Sequence, residues 1–126
     1  MTRATRSGAI LIALVALSQM AFAEQAAAPF KAAHLQILDK VTARTATLEV
    51  KPLLPAAYGT IDISVKQCWR APDDARPEQA ALLEIRERKA QLGDSKLLFS
   101  GWMFASAPAL SALEHPVYDV SLLRCE

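Results

Sequence analysis

Apolar and polar side chains alternate from Thr60 to Trp69, with Ile61, Ile63 and Val65 on one side and Asp62, Ser64 and Lys66 on the other. A period of two marks a strand with one buried and one wet face. Cys68 falls in phase with the polar set. Either a bulge shifts the register late in this strand, or the cysteine lies on the outer side of the sheet. Upstream, "VTARTATLEV" (41–50) is rich in β-branched residues and reads as another strand, stopped by the prolines and glycine of "KPLLPAAYG" (51–59). "RAPDDARPE" (70–78) is a polar loop. Alternation returns from Val117 to Cys125, where Tyr118, Val120 and Leu122 oppose Asp119, Ser121 and Cys125.

The stretch from Leu97 to Ala105 is apolar on both sides. Leu97, Phe99 and Met103 share one face with Gly101, and Leu98, Trp102 and Phe104 share the other. Such a strand must be covered on both faces. A short helix is expected over 107–114, with Ser106 as its cap, Pro108 in its first turn and Pro116 ending it. Ala109, Leu110, Ala112 and Leu113 give that helix an apolar side, which would fold back over the strand. "EQAALLEIRERKAQL" (78–92) stays ambiguous: its composition favours a helix, while Ala81, Leu83 and Ile85 alternate as a strand requires.

The first residues form a separate unit. Arg3 and Arg6 precede the apolar run "GAILIALVAL" (8–17), and Ala21-Phe22-Ala23 completes a cleavage signal, so residues 1–23 read as a secretory signal peptide. The run is shorter than the about 20 residues that a bilayer crossing needs, so no membrane span is expected after its removal. Residues 24–37 read as a flexible leader, and 38–126 as one small domain. The fold expected is mainly β: a compact sheet or partly closed barrel of about five strands, with one short helix near the C-terminus.

Charge removes some function classes. The chain has 14 basic and 13 acidic side chains, and losing Arg3 and Arg6 leaves 12 against 13. That balance gives no electrostatic footprint for nucleic acid. Cys68 and Cys125 are the only cysteines, and both lie beyond the export signal. In an oxidising periplasm they are expected to form a structural disulfide. His34 and His115 are too far apart in sequence to make a ligand-spacing motif, so neither a metal nor a cofactor is expected.

Two sets of residues are candidates for function. Trp102, Met103 and Phe104, with Leu110 and Leu113 from the predicted helix, are either core or a docking surface for a protein partner in the envelope. Ser106, Ser111, Glu114, His115 and Asp119 crowd together as the alternative, a weak polar site for a small periplasmic hydrolase using Ser106 or His115. The chain has no G-x-S-x-G turn, and each polar residue has a structural use as cap, helix end or strand face.

"LDKVTARTATLEV" (38–50), "YGTIDISVKQC" (58–68), "AALLEIRE" (80–87) and "FSGWMFASAPALSALEHPVYDVSLLRC" (99–125) occur in this order. Together they resemble domain-of-unknown-function family 2155, uncharacterised exported proteins of alphaproteobacteria. The resemblance covers essentially the whole chain after the signal. It implies a small secreted β-domain with the same two cysteines and a strand, not a helix, at 80–88. It brings no catalytic residues. It also implies a link to a respiratory membrane complex, because genes of the family often lie near an accessory-subunit gene of an NADH dehydrogenase. The function expected is a non-enzymatic periplasmic interaction or structural accessory module of the cell envelope.

Overall fold

Alternation governs the fold along most of its length, and three bulges break it at places that matter. A computed structural model describes residues 30–89 and 93–126. The signal peptide and residues 24–29 of the leader lie outside the described residues. Eight strands and one helical turn follow in order: β1 (Ala33–Asp39), β2 (Arg44–Val50), β3 (Ala56–Tyr58), β4 (Ile61–Arg70), β5 (Gln79–Arg88), β6 (Ser95–Phe104), α1 (Pro108–Ser111), β7 (Leu113–Glu114) and β8 (Tyr118–Cys125). They make two four-stranded sheets, ordered β2-β1-β8-β7 and β3-β4-β5-β6, with every pairing antiparallel.

The two sheets bury one shared core. Leu35 and Ile37 of β1 and Val120 and Leu122 of β8 meet Ile61, Ile63 and Val65 of β4 and Leu83 and Ile85 of β5. Removing that apolar surface from water is the main force holding the layers together. The segment at 80–88 is a strand, as the resemblance implies. Its Leu83 and Ile85 are fully buried, Glu84 is half-buried and Arg86 is exposed. A place between β4 and β6 overrides its helix-forming composition, because a central strand satisfies its backbone on both sides.

Structure begins earlier than the expected leader boundary. β1 starts at Ala33, and Lys31 and Ala32 already donate backbone hydrogen bonds to the Glu126 carbonyl. Ala-rich sequence concealed this strand, whose Ala33, Leu35 and Ile37 all face the core. The fold is mainly β with one short helix, as expected, and its eight strands form two open four-stranded layers around one core.

Both cysteines lie on the core side, not with the polar set. In β4 the register slips between Val65 and Gln67, leaving Lys66 as the extra residue and turning Cys68 inward. In β8, Leu122 pairs with Leu35 and Arg124 with His34, so Leu123 is the extra residue and Cys125 turns inward opposite Ala33. Each bulge inverts the alternation beyond it. The two cysteines form a disulfide with a Cα separation of 5.7 Å, tying one sheet to the other.

The helix is shorter than the expected 107–114. Only Pro108–Ser111 is helical, its cap position is Ala107, and no side chain caps it. Leu113 and Glu114 instead pair with Val120 and Asp119 as β7. His115 therefore lies in the turn between β7 and β8, where its N–H donates to the Tyr118 carbonyl, and not at a helix end.

Candidate functional site

The outer face of the β3-β4-β5-β6 sheet carries two cross-strand rows at one end. Trp69, Ala80 and Phe104 are aligned across β4, β5 and β6, and Gln67, Leu82 and Trp102 form the next row. Directly opposed side chains on a sheet face sit close enough to pack. A methyl group between two aromatic rings leaves a hollow. Trp69, Trp102 and Phe104 are 47%, 40% and 41% exposed, while Ala80 is only 2% exposed and forms the floor. The resulting cleft has a volume of about 240 Å³ and, among the described residues, is lined by these four. Its lining has no charged group. Two rows along the strands, Lys66 and Glu84 form an ion pair at 3.4 Å.

The aromatic stretch of β6 thus divides between roles. Met103 is 1% exposed and Leu113 is buried, so both belong to the core and not to any docking surface. Trp102 and Phe104 point outward. Leu110 is 89% exposed on α1 but does not line the cleft. Leu97 leaves the face it was expected to share with Phe99, because a register slip at Leu98 pairs it with Arg86 and turns it outward.

Trp69 was not among the sequence candidates. Counting by two from Ile61 buries it, and only the bulge at Lys66 turns it out. The signal was the off-phase Cys68: the same shift that carries the cysteine in carries its neighbour out.

The polar candidates do not converge. Ser106 Oγ donates to Glu78 Oε2, and its N–H donates to Glu78 Oε1 at 3.3 Å. Ser111 Oγ accepts the Phe104 N–H at 2.9 Å and donates to the Ala107 carbonyl at 3.2 Å. Glu114 is exposed beside Asp119, whose carboxylate pairs with Lys40 at 2.6 Å. His115 Nδ1 accepts the Val117 N–H at 3.2 Å and Nε2 faces Glu87 Oε1 at 3.6 Å. Its ring stacks on Tyr118, which meets Tyr58 edge-on. Ser106 is therefore anchored just before Gln79 and His115 beside Glu87, opposite ends of β5 that are about 26 Å apart along an extended strand. They form no nucleophile–base pair. The other histidine, His34, bonds Glu126 at 2.7 Å. Among the described residues, no three His, Cys, Asp or Glu side chains are grouped to hold a metal.

The Ser106 bond gives an acid-sensitivity prediction. Hydrogen bonding by the Ser106 hydroxyl, then by the Gln79 N–H, holds the Glu78 carboxyl below the ordinary glutamate value. A lowered carboxylate contributes stability above the unfolded value and loses it as pH falls through the folded one. Ser106→Ala should therefore destabilise at neutral pH, and its melting midpoint should converge on the wild-type value under acid. Thermal melts across the acid range read this. A constant difference at every pH would contradict it.

Gly59 supports the same end as His115. It has φ +53, and an added Cβ would overlap the Tyr118 hydroxyl and lie 2.9 Å from its Cζ. Gly59→Ala should cost about 1–3 kcal/mol by overpacking, since Tyr118 is in the core and cannot withdraw freely. Urea unfolding measures this. An unchanged midpoint would show that the ring moves aside without loss.

A family model described as "Uncharacterized protein conserved in bacteria (DUF2155)" matches residues 33–125, from β1 to the end of β8. The chain is also similar to "Uncharacterized protein RP359" of Rickettsia prowazekii (strain Madrid E). The two are 33% identical over 88 residues, which cover 70% of this chain and 56% of that protein. The chain thus spans little more than half the length of this curated relative. No solved structure matches it.

Proposed function

The chain belongs to the DUF2155 family of uncharacterised bacterial proteins, and we propose that it is an exported, non-enzymatic interaction module that docks a protein partner in the periplasm. The observation that carries this reading is the cleft of Trp69, Trp102 and Phe104 over Ala80. Aromatic rings left in water on a sheet face are available as binding anchors. A cleft of about 240 Å³ is smaller than the usual small-molecule site and suits one large apolar side chain. A sugar would want several hydrogen-bonding groups, and this lining offers little beyond indole N–H donors. Export is supported by the order Arg3/Arg6, apolar run and Ala21-Phe22-Ala23, and by a disulfide that persists in oxidising compartments. Separation of Ser106 from His115 leaves the hydrolase alternative without a catalytic pair.

Affinity purification of the tagged protein from envelope extracts, including solubilised respiratory complexes, tests the reading. Trp69→Ala and Phe104→Ala should lose the co-purifying partner, while His115→Ala and Ser106→Ala should keep it. Retention by both aromatic variants would overturn the assignment of this face.

A further inference from the structure

Among the described residues the two sheets end in β2, β7, β3 and β6, and of these edges β6 is the longest and has an uncharged middle. β7 and β3 have two and three residues. β2 carries Arg44 and Glu49, with Lys51 just beyond it. β6 has ten residues, and from Leu97 to Leu113 the chain contains no charge. Natural sheets blunt such edges with charge, proline or brevity, because open N–H and C=O groups recruit another strand.

The open groups can be named. Ala105 donates to the Gln79 carbonyl, so Ala105, Met103 and Gly101 direct their backbone toward β5. Phe104, Trp102 and Ser100 face the free edge. Phe104 is already used: its N–H goes to Ser111 Oγ and its carbonyl accepts from Ala107. At the other side the slip at Leu98 kinks the strand. Ser100 and Trp102 are left between a capped end and a bent end.

We infer that this edge is the dimer interface of the protein, and that β6 pairs antiparallel with β6 of a second copy about a two-fold axis at Gly101. The pattern is self-complementary, as a two-fold contact requires. Ser100 of one copy faces Trp102 of the other, twice, and each pair exchanges both backbone hydrogen bonds. Gly101 meets its own symmetry mate with no side chain at the axis. The capped end of each strand lies opposite the bent end of its mate. That brings α1, with Leu110 89% exposed, toward the second copy's Leu97, which is 46% exposed. Two exposed leucines that the monomer does not explain are thereby placed at one junction. The near-neutral charge adds little repulsion between copies. The paired β3-β4-β5-β6 sheets become one continuous sheet, with the two aromatic clefts side by side on its outer face.

This pairing goes beyond the docking function and does not depend on it, since purified protein alone reports self-association. Sedimentation of the exported chain should show twice the monomer mass at high micromolar concentration and dissociation on dilution. Ser100→Pro removes the N–H that faces the free edge, a place where a sheet tolerates proline. It should be monomeric with its melting midpoint kept. Ser100→Lys, which sets two like charges near the axis, should also be monomeric. Mixed Ser100→Cys and Trp102→Cys chains should cross-link under oxidation, because hydrogen-bonded antiparallel partners are about 5.5 Å apart at Cα, within disulfide reach. A wild-type chain monomeric at every concentration would overturn the inference. So would a dimer that survives both Ser100→Pro and Ser100→Lys, or a monomer that takes up only a foreign extended peptide.

Discussion

Replacing Cys68 and Cys125 together by alanine should lower the unfolding free energy by about 4 kcal/mol. The bridge closes a loop across a sequence separation of 57 residues, and a loop of that length removes chain entropy on this scale from the unfolded state. For a domain of this size the melting midpoint should drop by roughly 20 °C. That is a large share of the about 5–15 kcal/mol by which such domains are stable. Position adds to the effect, because the bridge joins β4 in one sheet to the last residue of β8 in the other. Without it, the end of β8 is held by the β1 pairing and by the Cys125 N–H, which donates to the Gln79 side-chain amide oxygen Oε1 at 2.6 Å. Melts with and without reductant, paired with non-reducing peptide mapping, measure the effect. A midpoint unmoved by reductant would contradict it.

Met103→Ala should cost about 2–5 kcal/mol, the range for a large apolar side chain removed from a packed core. Met103 is 1% exposed, faces the inner side of β6 and lies opposite Ala81, which is fully buried. Truncation leaves a void that neither neighbour on β6 can fill, because Trp102 and Phe104 point to the other side of the sheet. Equilibrium urea unfolding gives the number. A loss smaller than that of either aromatic neighbour would mean that the inner and outer faces of β6 had been exchanged.

Fold class, most strand positions and the disulfide were legible because they follow from alternation and from two lone cysteines behind a sequence that reads as an export signal. That Met103 lies on the face opposite Trp102 and Phe104 also followed from a period of two, but which face turns to the core did not. What stayed hidden depends on single extra residues. Lys66 and Leu123 turn the cysteines inward, and Leu98 turns Leu97 outward. A bulge has no strong local signature, so its cost and position are set by the partner strand. Trp69 was lost to the candidate site for that reason alone. The helix was overread because "PALSALE" (108–114) satisfies helical spacing, while β8 offers Leu113 a backbone partner and a place in the core. β1 was underread because alanines carry little hydrophobic signal at Ala32 and Ala33, although both are buried.

Trp102→Ala tests the central claim most directly, with stability and partner capture read on the same purified variant. Its indole is 40% exposed on an outer sheet face, where one cross-strand contact is worth about 0.2–1 kcal/mol. The expected result is a fold retained with at most a modest drop in melting midpoint, far less than for Met103→Ala. Partner affinity should fall by at least about 30-fold, the loss typical of an aromatic anchor at an interface. A variant that loses stability as Met103→Ala does, yet still captures the envelope partner at wild-type level, would show that Trp102 serves the fold and that the cleft is not the docking surface.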